Sequence, residues 1–224
     1  MKALLWKDFR ENRTVLMAIA VFVLMPYISS AIVAIADVSA GRDPHWARTL
    51  WGSSAVALCL SAGVTSFIAG NVIAGERANR SAEFAAYLPI PRRTTAASKA
   101  IVAISSCLFI LLVNFGINRL AAWVQSDRSH DVPVQDLAFF GLPAVVLMFG
   151  VAWLFSSFSR SPVIAAASGL VAFLVLIGTS TFSMSHTTGQ IPHLWFYWYW
   201  STSLIVGIGG FAVGVIYYLR RVEP

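Results

Sequence analysis

Six apolar runs, each long enough to cross a lipid bilayer, dominate this chain of 224 residues. A helix rises 1.5 Å per residue, so about 20 consecutive apolar residues span a hydrocarbon core about 30 Å thick. The runs cover residues 14–36, 50–74, 96–118, 137–158, 163–184 and 198–219. The remaining positions are divided among two ends and five connections, which leaves no room for a soluble domain of about 100–150 residues. That excludes a self-contained ATPase, kinase or dehydrogenase. Composition agrees: 58% of residues are apolar and 12% charged, against about 25% charged in soluble chains. The expected fold is an all-α integral membrane protein in which residues 1–224 form a single transmembrane domain of six helices.

Orientation follows from lysine and arginine. One side carries Lys2, Lys7, Arg10, Arg13, Arg77, Arg80, Arg92, Arg93, Lys99, Arg160, Arg220 and Arg221; the other carries Arg42, Arg48, Arg119 and Arg128. The positive-inside rule puts the first side, with both termini, in the cytoplasm. The net charge of +6 therefore reflects membrane topology, and no nucleic acid partner is expected. A cleaved signal peptide ending at Ala34-Ile35-Ala36 is disfavoured, because the apolar run exceeds a signal core and Asp8 and Glu11 sit in the basic region. The aromatic stretch Trp195–Trp200 opens the sixth run, where an interfacial belt accounts for it. Cys59 and Cys107 lie inside apolar runs and read as small buried hydrophobes.

Proton-driven transporters place titratable groups within the bilayer, and none is expected well inside any of these runs. The buried polar residues are neutral: Asn71, Asn114 and Asn118. Asn114 and Asn118 share a helix face, where they either join neighbouring helices or touch a polar substrate. Gly207, Gly210 and Gly214 form a small-residue face suited to close helix packing. His45, His130, His186 and His193 fall on the outer side without metal-ligand spacing. No phosphate loop, zinc-protease or nucleophile-elbow motif occurs. The chain is not expected to be an enzyme, and it binds no cofactor of its own by this reading.

Two segments carry functional information. In residues 1–13, Leu5, Trp6 and Phe9 share one helical side with Lys7, Asp8 and Glu11 on the other, while Arg10 follows Phe9. A short helix lying in the membrane interface ahead of the first run is expected. In residues 75–95, Glu76 and Arg80 are spaced as a helical ion pair. Phe84, Tyr87 and Leu88 form an apolar helix face that Pro89-Ile90-Pro91 terminates, before Arg92-Arg93 leads into the third run. A rigid amphipathic helix of this kind suits docking of a soluble partner.

These segments resemble those of the membrane subunits of type-2 ABC transporters, the six-span permeases of bacterial exporters. The likeness rests on Ala3-Leu4-Leu5-Trp6-Lys7-Asp8-Phe9-Arg10-Glu11-Asn12-Arg13, on Gly75-Glu76-Arg77, on Glu83-Phe84 and on Leu88-Pro89-Ile90-Pro91-Arg92-Arg93. The resemblance implies a connecting interfacial helix at residues 1–13. It also implies a coupling helix in 75–95, with Gly75, Glu76, Arg77, Arg80, Glu83, Phe84, Leu88, Pro89, Pro91, Arg92 and Arg93 at the contact with a cytoplasmic ABC ATPase subunit. ATP and Mg would then be bound by that partner, with a second permease subunit, identical or related, completing the path across a bacterial inner membrane. The alternative is a non-transporting membrane scaffold or immunity protein that binds a partner.

Overall fold

A computed structural model of the chain describes residues 2–41, 46–78, 91–125, 134–186 and 192–220. Among these residues it is all-helical: α1 (Lys2–Ser39), α2 (Trp46–Ala78), α3 (Arg92–Gln125), α4 (Val134–Phe158), α5 (Pro162–His186) and α6 (Pro192–Arg220). Each of the six is long and apolar enough to cross a membrane. The protein is therefore a multi-pass membrane protein built as one helical bundle.

The residue pairs that meet across helices fix the packing directions. Asn12 meets Asn71 and Lys7 meets Glu76, so α1 and α2 run antiparallel. Asn118 meets Ser54 and Asn114 meets Ser61, which makes α2 and α3 antiparallel as well. On α4 and α6 the pairs Gly150–Gly207 and Ser157–Gly214 advance together by seven residues, so these two helices are parallel. α2 and α4 form the centre: α2 packs on α1, α3, α4 and α5, while α4 also carries α5 and α6. α1 packs on α2 and α3 alone among the described helices.

Lipid supplies no hydrophobic force between helices, so close packing and hydrogen bonds hold the bundle. At α4–α6 the backbones touch. A Cβ added to Gly207 would overlap the Val146 carbonyl, and one on Gly210 would lie 3.0 Å from the Gly150 oxygen. The face shared by Gly207, Gly210 and Gly214 is thus a packing face against α4. Beside it Trp153 is fully buried, with its ring centroid 5.1 Å from that of Phe211 and 5.9 Å from that of Phe149. Away from these seams, side chains such as Val21, Leu24, Ile28, Ile205 and Ile208 are exposed along the helices, as a lipid-facing surface requires.

Residues 1–13 differ from expectation. No separate short helix precedes the first span: Lys2–Ser39 is one helix of 38 residues, about 57 Å long, which exceeds the hydrocarbon thickness. The polar side at Asp8 faces the bundle, while Trp6 and Phe9 are exposed and stack on each other. Arg10 is exposed and Leu5 half-buried. Proline at position 26 lies inside α1, and the hydroxyls of Ser29 and Ser30 donate to its carbonyl.

Candidate functional site

Three helices converge where α1 begins, α2 ends and α3 begins, and Asp8, Glu76 and Lys99 turn inward there. Lys99 is only 2% exposed. Its Nζ donates to Glu76 Oε1 at 2.5 Å and to the Val72 carbonyl at 3.2 Å, and lies 3.9 Å from Asp8 Oδ1. Asp8 is equally buried, and its other carboxylate oxygen accepts a 2.5 Å hydrogen bond from Ser98 Oγ. Lys7 Nζ approaches the same Glu76 oxygen at 3.4 Å and lies 3.5 Å from Glu11. Below the charges, Asn71 Nδ2 donates to Asn12 Oδ1 at 2.7 Å, and Asn12 Nδ2 donates to the Asp8 carbonyl at 2.8 Å.

Local sequence explains the convergence. Asp8 and Asn12 are one turn apart and share a face of α1. Ser98 and Lys99 are consecutive, about 100° apart on α3, so one reaches α1 while the other reaches α2. Ala96, buried, and Ala100, half-buried, flank them and add little bulk on that face of α3. Gly75 serves the same end. A Cβ there would lie 2.7 Å from Asn71 Oδ1, so its absence leaves room for the Asn71 carboxamide. Val72 and Glu76 are one turn apart on α2, and the Lys99 ammonium bridges both.

Among the described residues, the carboxylates of Asp8, Glu11 and Glu76 face the ammonium groups of Lys7 and Lys99. The three carboxylates each place an oxygen within 4.8 Å of the others, a spacing that a cation would fit. The ammonium of Lys99, however, already stands between Glu76 and Asp8, so the set reads as an ion network with internal counter-ions. Removing one partner from such a network leaves an uncompensated buried charge, which costs about 3–5 kcal/mol.

Lys99 falls inside the third run, buried, and its partners come from the first two helices. Glu76 is 9% exposed, and its carboxylate turns toward Lys99 and Lys7. Arg77 is half-buried and its Nη1 donates to the Ser159 carbonyl at 3.4 Å, tying the end of α2 to the α4–α5 turn. Arg80, Glu83, Phe84, Leu88 and Pro89 lie outside the described residues. Pro91, Arg92 and Arg93 are exposed, and the Pro91 carbonyl accepts the Thr94 and Thr95 N–H groups to open α3.

The buried asparagines join helices. Asn114 accepts from the Tyr27 hydroxyl at 2.8 Å and donates to Ser61 Oγ at 3.2 Å, linking α1, α2 and α3. Asn118 donates to Ser54 Oγ at 2.8 Å. Asp8, Asn12 and Ser98 were not singled out from the sequence. The available sign was their spacing: a carboxylate and an amide one turn apart, and a serine–lysine pair among alanines. No protein-family profile, curated protein or solved structure matches the chain.

Proposed function

We propose that the chain is the permease subunit of an ATP-driven exporter, with its termini and the 79–90 connection in the cytoplasm of a bacterium. Separate ABC ATPase subunits would bind ATP and Mg, and two permease subunits would enclose the substrate path. The observation that carries this reading is the Glu76–Lys99 pair. It joins the end of α2 to the start of α3 on either side of the 79–90 connection, and Lys7 and Asp8 tie the same pair to α1. A force applied to that connection is thereby delivered to three helices at once. Coupling machinery needs such a link, because a loose loop would absorb the movement. In this mechanism Phe84 and Leu88 contact the motor, while Glu76 acts one step behind, as a positioning residue that transmits the motion. Asn71 contributes by holding Asn12, and Asn114 and Asn118 keep the moving helices in register.

The test is co-purification of a soluble ATPase with the full-length chain from its native membrane. Phe84→Asp with Leu88→Asp is expected to abolish association while the bundle still elutes as a folded species. Retained ATPase and normal ATP-dependent transport in that double variant would refute the assignment.

A further inference from the structure

We propose that the cleft between the first turn of α3 and the last turn of α6 binds the headgroup of an anionic phospholipid. Pro91, Arg92, Arg93, Ile216, Leu219 and Arg220 line it. Three of the six bring guanidinium groups and none brings a carboxylate. Arg92, Arg93 and Arg220 are all exposed, and an exposed guanidinium presents a planar donor fork that suits phosphate oxygens. The start of α3 adds to the attraction, since a helix N-terminus carries partial positive charge.

The apolar part of the cleft selects a lipid over a free anion. Ile216 is 48% exposed, and the exposed stripe continues along α6 through Val213, Ile208 and Ile205. An inorganic phosphate has no use for such a stripe. A phosphate esterified to acylated glycerol fits it, with the headgroup among the arginines and the chains along α6. Basic clusters between helix ends at a membrane surface attract anionic headgroups on this principle. The site is independent of the permease reading and needs only the membrane-spanning bundle.

The experiment is native mass spectrometry of the purified full-length chain in detergent, titrated with phosphatidylglycerol or with phosphatidylcholine. The parent chain is expected to retain one phosphatidylglycerol more tightly than any phosphatidylcholine. Arg93→Gln with Arg220→Gln is expected to weaken that site about fivefold per guanidinium, about 30-fold together. Lys2→Gln with Arg13→Gln, exposed positions on α1, should change it less than twofold. Unchanged retention in the Arg93/Arg220 variant overturns the proposal, as does equal loss in both double variants. Displacement of phosphatidylglycerol by millimolar inorganic phosphate would also overturn it, by reassigning the cleft to a free anion. If the glutamine pair does not fold, Arg93→Lys with Arg220→Lys decides: several-fold weakening supports the bidentate site, and none overturns it.

Discussion

Lys99→Met is the perturbation that most directly examines the ion network. Methionine keeps the length and apolar stem but removes an ammonium that is 2% exposed and engages Glu76, Asp8 and the Val72 carbonyl. Two buried carboxylates then face each other, and among the described residues Lys7, 3.4 Å from Glu76, is the cation left nearby. The cost of breaking a buried pair by removing one partner is about 3–5 kcal/mol. Adding Glu76→Gln removes one of the stranded charges, so the double variant is expected to recover at least about 2 kcal/mol of that loss. Unfolding of the detergent-solubilised chain, followed by circular dichroism, provides the four corners of the cycle. Exchanging the charges, Glu76→Lys with Lys99→Glu, is expected to fail. The new lysine would stand beside Lys7 and the new glutamate beside Asp8. A loss under about 1 kcal/mol for Lys99→Met, strict additivity with Glu76→Gln, or full recovery by the exchange would refute the network.

Other perturbations probe the helix seams. Gly207→Leu places a side chain against the Val146 carbonyl and Leu147 nitrogen and is expected to separate α4 from α6, whereas Gly209→Ala, with nothing within 4 Å of the added carbon, leaves thermal stability unchanged. Tyr27→Phe and Asn114→Leu, measured singly and together, are expected to show a coupling of about 0.6 kcal/mol, the usual strength of a hydrogen bond between membrane helices. Gly75→Ala should push the Asn71 carboxamide away from Asn12 and lower stability to the level of Asn71→Leu; equal stability to the parent would show that the space is not needed.

Helix number and approximate extent were legible in the sequence because the bilayer fixes how many apolar residues a span requires. The small-residue face of α6 was legible too, since Gly207, Gly210 and Gly214 repeat at helical spacing. The ion network was not, for two physical reasons. Glu76 has a residue of opposite charge four residues on, Arg80, and the bond to Lys99 joins two helices across the 79–90 connection, which leaves no local pattern. Around Asp8, helical periodicity separates a polar from an apolar side but does not say whether the polar side meets water or protein. The exposed Trp6 and Phe9 and the buried Asp8 belong to the second case.

The burial of Asp8 bears on how α1 is oriented. Its middle is apolar all round: Ile19 and Val23 are buried, while Val21, Leu24 and Ile28 are as hydrophobic and face outward. Lipid is as apolar as any of them, so hydropathy cannot choose which side of α1 meets the bundle. Polar residues can. At 100° per residue, Asp8, Asn12, Ile19, Val23 and Tyr27 fall within an arc of about 100°, and the three polar members each bond into the bundle. Turning α1 by one residue would take Asp8 away from Ser98 and Lys99 and toward lipid, at a cost of up to about 3 kcal/mol. The network therefore sets the rotation of α1 as well as joining α2 to α3. A buried ion set adds little net stability over a packed apolar alternative; its effect here is to fix one register among several that lipid alone would leave nearly equal in energy.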